Sequence, residues 1–275
     1  MSKQTEVTKN NSVVNHDDPG LVKPPRPAEV YDAVLEEGEI ELSRGVPALW
    51  WSGVAAGLSM GFSVVATAAL AVAFGEFGWS HPVVSIGYAA GFLIVILARQ
   101  QLFTENTITA LLPVLANYSW ANTHHLLRLW GIVFLANIVG GLIFAWLTTQ
   151  PTFFSDEIRV EILNLGHHLF ENSATQMFMK GIAAGWLIAT LVWVLPSANT
   201  GRFMIILFFT WLIALGEFTH IIAGSIEAFH MMFMGVIAGD QLLLQFMIPT
   251  LLGNIIGGSA IFSLISYAQV RNEVE

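Results

Sequence analysis

Polar and charged residues interrupt two otherwise apolar stretches of this 275-residue chain, and those interruptions hold the side chains able to do chemistry. One reads Arg99-Gln100-Gln101-Leu102-Phe103-Thr104-Glu105-Asn106; the other reads Gly216-Glu217-Phe218-Thr219-His220-Ile221-Ile222-Ala223-Gly224-Ser225. In hydrocarbon such groups are costly, and both they and non-helical backbone are tolerated only against protein or a cavity. The chemistry on offer is recognition of a small polar solute. Thr104 and Thr219 bring hydroxyls, Asn106 an amide, and His220, the one histidine expected at mid-depth, an imidazole that titrates near neutrality. Arg99, Glu105 and Glu217 either touch that solute or form a buried ion network holding the breaks together.

The remaining histidines carry less. His81, His124, His125, His167, His168 and His230 fall at or near expected loops, and the pairs His124-His125 and His167-His168 lack the spacing or carboxylate partners of a metal site. No metal or cofactor is expected, nor any catalytic group: there is no nucleophile elbow and no nucleotide loop, and the chain has no cysteine. Glu217 or Glu105 beside His220 as a general base would make a membrane-embedded enzyme; a sensor or scaffold using the N-terminal tail is the other rival. Neither explains why the breaks are duplicated.

The elements that position these residues follow from composition. With 55% hydrophobic residues, 11% charged and a mean hydropathy of +0.64, too little polar surface exists to face water on all sides. Apolar runs of the roughly 20 residues needed to cross about 30 Å of hydrocarbon lie near 47–74, 83–115, 126–148, 176–196, 203–237 and 243–267. The reading is an all-α membrane protein of six crossings, with the second and fifth broken. Residues 1–45 are polar and hold Pro19, Pro24, Pro25 and Pro27, which predicts a disordered tail; 46–270 form the membrane domain and 271–275 a short C-terminus. Lys3, Lys9, Lys23, Arg26 and Arg44 precede the first crossing while the loops near 75–82 and 238–242 hold no Lys or Arg, so both termini are expected in the cytoplasm. The formal charge of −9 says little about partners, since much of it lies in or near the tail and in the 149–175 loop, and no nucleic-acid partner is expected.

The chain also repeats itself. Gly53-Val54-Ala55-Ala56-Gly57 returns as Gly181-Ile182-Ala183-Ala184-Gly185, and Asn137-Ile138-Val139-Gly140-Gly141 returns as Asn254-Ile255-Ile256-Gly257-Gly258. Three crossings per half make the second copy enter from the opposite side, the arrangement of inverted-repeat transporters with a path at the midplane. Phe103-Thr104 and Phe218-Thr219 lie at about the same separation as the Asn-Ile-x-Gly-Gly copies, so the breaks are repeat-related. Small residues in the latter motif read as helix packing.

Leu102-Phe103-Thr104-Glu105-Asn106, Phe218-Thr219-His220-Ile221-Ile222-Ala223 and the Gly-Asn-Ile-Ile-Gly-Gly of the sixth crossing together resemble the formate/nitrite transporter family over about residues 30–270. The resemblance implies an aquaporin-like fold in an inner membrane, assembled as a homopentamer in contact with lipid, each protomer passing a small monovalent anion through its own pore. It further implies that Leu102 and Phe103 form the cytoplasmic constriction and that Thr104 and His220 are the polar pair of the central chamber. Departures stand at Arg99, Gln101, Glu105, Gly185 and Thr219. A bare anion loses much solvation energy in an apolar pore whereas its neutral acid does not, so a histidine handing over a proton lowers the barrier.

Overall fold

The computed structural model describes residues 25–75, 78–198 and 200–274, and the first 24 residues of the expected tail, with Lys3, Lys9 and Lys23, lie outside them. In chain order the helices are α1 (Pro27–Ser43), α2 (Val46–Phe74), α3 (Ser80–Leu97), α4 (Asn106–Ala116), α5 (Trp120–Thr148), α6 (Asp156–Phe170), α7 (Ala174–Ser197), α8 (Arg202–Leu215), α9 (Ile221–Phe233) and α10 (Gly239–Val270). Among the described residues there is no strand.

Five helices, α2, α3, α5, α7 and α10, are long and apolar enough to cross a membrane. The expected fifth crossing, 203–237, is split into α8 and α9 of 14 and 13 residues, each shorter than the thickness requires. The expected second, 83–115, is split into α3 and α4. Both interruptions fall where the sequence placed them.

Two expectations of irregular structure are overturned. Residues 27–43 of the supposed disordered tail are helical: Pro27 sits at the first helical position, Glu29 reaches back to the Arg26 N–H at 2.9 Å, and Val30, Tyr31, Val34 and Leu42 bury an apolar stripe. The composition hid a short amphipathic helix. The 149–175 segment between the expected third and fourth crossings likewise contains α6, started by Ser155 with the acidic Asp156 and Glu157 in the first turn to suit the helix dipole.

Helix contacts are closest where glycines replace side chains. α2 packs along α5, and α7 along α10. A Cβ on Gly57 would stand 2.2 Å from the Asn137 carbonyl oxygen, and one on Gly185 would stand 2.3 Å from that of Asn254, so only glycine allows these backbones to meet. This bears out the packing reading of the repeated motif.

Candidate functional site

Each broken helix stops in the same way. After α3 the Gln100 N–H reaches the Val95 carbonyl and the Arg99 N–H that of Ile96; after α8 Phe218 reaches Ile213 and Glu217 reaches Ala214. These are paired 6→1 and 5→2 closures, which turn the chain through a left-handed residue usually supplied by glycine. Here it is Arg99 (φ 55°) and Glu217 (φ 51°), the two non-glycine residues of positive φ among those described.

Asparagines then hold the released backbone. Asn137 Oδ1 accepts the Phe103 N–H at 2.9 Å while its Nδ2 donates to the Gly53 and Gln101 carbonyls; Asn254 Oδ1 accepts the Ile221 N–H at 2.8 Å and donates to Gly181 and Thr219. Both asparagines are fully buried, and each satisfies two backbone groups that the break leaves without a helical partner while tying them to a carbonyl of the neighbouring helix, Gly53 of α2 or Gly181 of α7. The equivalences pair Arg99 with Glu217, Gln101 with Thr219 and Phe103 with Ile221, which sets Leu102 opposite His220. The Phe-Thr match expected from sequence is therefore out of register by three residues. It followed side-chain identity, whereas the backbone bonds define what is equivalent.

Between the breaks lies one polar contact. His220 Nε2 and Thr104 Oγ1 are 2.7 Å apart, with the two residues 1% and 0% exposed. His220 is also the N-cap of α9: its Nδ1 accepts the Ala223 N–H at 3.3 Å. An Nδ1 that accepts carries no proton in the neutral ring, so Nε2 holds it and donates to the Thr104 hydroxyl. The Thr104 hydroxyl keeps its own proton for another acceptor. Phe92 lies edge-on to the imidazole, ring centres 5.1 Å apart.

One cavity reaches His220, and another stops at Leu102, two residues before Thr104. On the α1 side a space of about 130 Å³ is lined by Leu102, Gln101, Asn106, Glu105, Arg99 and Glu37, with Glu41 and Arg202. On the α6 side a larger one, about 560 Å³, reaches His220 past Phe218, Thr219, Tyr88 and Glu227. Phe103 borders neither; it packs edge-on against Trp130 and Phe134. Asn106 donates from Nδ2 to Gln101 Oε1 and the Leu102 carbonyl, and Thr219 donates to the Met177 carbonyl, so the first is tied down within its break and the second against α7.

The three charged residues do not form a network with one another. Arg99, its side chain 62% exposed, pairs with Glu37 of α1, and Glu217, 67% exposed, pairs with Lys180 of α7 at 3.1 Å. Only Glu105 points inward, with Oε1 buried and lacking a hydrogen-bond partner among the described residues. The half-helices end at the cavities, so their left-handed residues project outward along them. Beside Glu105, burial pushes the Glu41 carboxyl of α1 above the ordinary carboxylate range while Arg44 pulls it the other way.

Sequence reasoning missed Asn137 and Asn254 as anchors of the breaks, α1 as a wall of one cavity, and Glu227. The repeated Asn was visible, but buried amides pair by geometry that repetition alone does not specify. Glu227 lay unremarked among apolar residues of the fifth run.

Comparison with known proteins accords with this arrangement. The family model described as formate/nitrite transporter matches residues 28–268. The chain is 43% identical over 251 residues to inner membrane protein YfdC of Escherichia coli K12, covering 91% of this chain and 81% of that one. It is 25% identical to the formate channel FocA of Haemophilus influenzae, over 76% of this chain and 81% of the relative. Among solved structures, one described as a pentameric formate channel with formate bound aligns with TM-score 0.69 at 18% identity, over 82% of this chain and 98% of the other. An FNT family ion channel aligns with TM-score 0.75 at 17% identity, over 88% and 98%. At those identities the structures speak for the fold.

Proposed function

This chain belongs to the formate/nitrite transporter family, and from that premise we propose that it passes a small monovalent anion of the formate or nitrite kind across an inner membrane. α3 with α4, and α8 with α9, each act as one broken crossing, giving six in two inverted halves of three. The assembly is a homopentamer in lipid, as the structural relative's description suggests, with both termini cytoplasmic. Residues 46–270 are the transport domain. Leu102, 1% exposed at the floor of the α1-side cavity, is the constriction on that side, with Phe103 locked behind it.

The observation that carries the reading is the buried Thr104–His220 pair between two cavities. An anion leaving water for an apolar neck needs donors that cost nothing to reorganise. Such donors lie on opposite halves of the chain: the Thr104 hydroxyl keeps its own proton free, and His220 Nε2–H serves the solute in turn when it leaves the Thr104 oxygen it is bonded to. The imidazole offers its Nε2 proton toward the solute's oxygen, and a full transfer requires Nδ1 to release the Ala223 N–H and take up a proton from water, so that the ring ends neutral. Both that contact and the positive end of α9 oppose a lasting imidazolium. The proton is accordingly lent during passage rather than stored.

The test is flux of formate and nitrite in proteoliposomes between about pH 5 and 8, the range in which an unperturbed imidazole titrates. His220→Asn retains an N-cap acceptor for the Ala223 N–H while removing the titrating ring. Flux is expected to fall by about tenfold or more throughout that range, since about 1.4 kcal/mol of barrier is a factor of ten. An intact variant with wild-type flux and pH profile overturns the mechanism.

A further inference from the structure

Among its described lining residues, the α6-side cavity holds three carboxylates, Glu171, Glu217 and Glu227, and no arginine or lysine. Two are accounted for. Glu217 accepts from Lys180 Nζ, and Glu171 faces His168 at an exposed rim. Glu227 differs, because its carboxyl forms no ion pair or hydrogen bond with any described residue and it lines the same space as His220. Positions 220, 224 and 227 fall on one stripe of α9, and all three border the cavity. At 1.5 Å rise per residue, Glu227 stands about 10 Å along the axis from His220, two turns toward the mouth. A solute arriving from this side meets Glu227 before it meets the histidine.

We propose that Glu227 is the specificity-determining residue of this vestibule, holding back an anion while its carboxyl is ionised and admitting the solute once either partner carries a proton. The proposal rests on the reading that the path runs through Thr104 and His220. Like charges within a few ångströms repel far more strongly in a protein-lined cavity than in bulk water, and no cation in the lining offsets Glu227. The other titratable groups facing it are few. Tyr88 and His81 come from α3, His168 from α6, Glu171 from just beyond α6, Glu217 from the break and His220 from its own helix. Tyr88, a phenol, stays neutral across the range of interest. Arg159 of α6 stands by His230, ten residues along α9 from His220. Access from this side is thus opened by acid.

The experiment uses the full chain in proteoliposomes with formate as probe, at pH 5.5 and 7.5. Glu227→Gln keeps the shape and removes the charge, and flux at pH 7.5 is expected to rise by about tenfold toward the pH 5.5 value, the order expected from removing one near charge. Glu227→Asp keeps the charge and should retain the wild-type profile; Glu227→Ser is a second neutral variant if the glutamine form does not reconstitute. Wild-type formate flux with neutral variants unchanged at both pH values overturns the role of Glu227 alone. No formate flux in wild type or in the neutral variants overturns the anion path itself and this proposal with it.

Discussion

Thr104 supplies one of the two polar groups of the proposed path. Its hydroxyl accepts the Nε2–H of His220 and its backbone carbonyl accepts the Thr107 hydroxyl, so it is fixed from both ends within an otherwise apolar surround. Thr104→Val keeps the shape and removes one hydrogen-bond partner, worth about 1 kcal/mol or somewhat more. Flux in proteoliposomes is expected to drop roughly tenfold while the protein elutes as the same oligomer, and an intact variant with unchanged flux would remove Thr104 from the path. At this scale the sequence was informative about identity and poor about direction. His220 and Thr104 stood out as polar residues at depth, and the two meet. Arg99 and Glu217 stood out for the same reason, yet their side chains run outward to Glu37 and Lys180. A residue's place along the chain gives its depth, while the turn it occupies decides where it points.

The breaks belong to the scale of elements, where strain can be tested. Glu217 occupies a left-handed conformation that costs an ordinary L-residue about 1 kcal/mol relative to glycine, and its exposed ion pair with Lys180 returns at most about that much. Glu217→Gly is therefore expected to leave thermal stability unchanged or slightly raised. Glu217→Val, β-branched at φ 51°, lowers it by more than about 1 kcal/mol. Differential scanning fluorimetry of the purified protein reads both; a glycine variant no more stable than the valine variant would show that the ion pair, not the turn, holds this end of α8. Element starts were legible where caps exist: Ser119 before α5 and Ser173 with Gln176 before α7 are sequence signals that the structure uses. α1 and α6 start on comparable features, Pro27 and Glu29 for the first and a Ser155 cap with Asp156 and Glu157 for the second. Proline content and charge, from which the tail is read, describe average composition and not the one apolar stripe each helix buries.

Across the whole molecule, each anchoring asparagine sits directly against a glycine of the neighbouring helix, Gly57 against Asn137 and Gly185 against Asn254. Helix packing and break geometry are thus one construction made twice, once per half, and the Thr104–His220 pair exists only because both copies hold. Gly57→Ala and Gly185→Ala each insert a methyl group at 2.2 and 2.3 Å from an asparagine carbonyl oxygen, a separation that forces the helices apart. Overpacking of this kind costs about 1–3 kcal/mol. The shift moves Asn137 away from the Phe103 N–H or Asn254 away from the Ile221 N–H, and so displaces Thr104 or His220. Both variants are expected to melt earlier and to lose most formate flux, by similar factors, although their mutated positions lie in different halves and at neither cavity. The stability losses should add in the double variant, since the sites share no partner. The flux loss should not, because either half alone already misplaces its member of the pair. Thermal melts and flux on the two single variants and the double variant measure this, and a fully active Gly57→Ala or Gly185→Ala protein would show that the two halves place their sides of the site independently of how their helices pack.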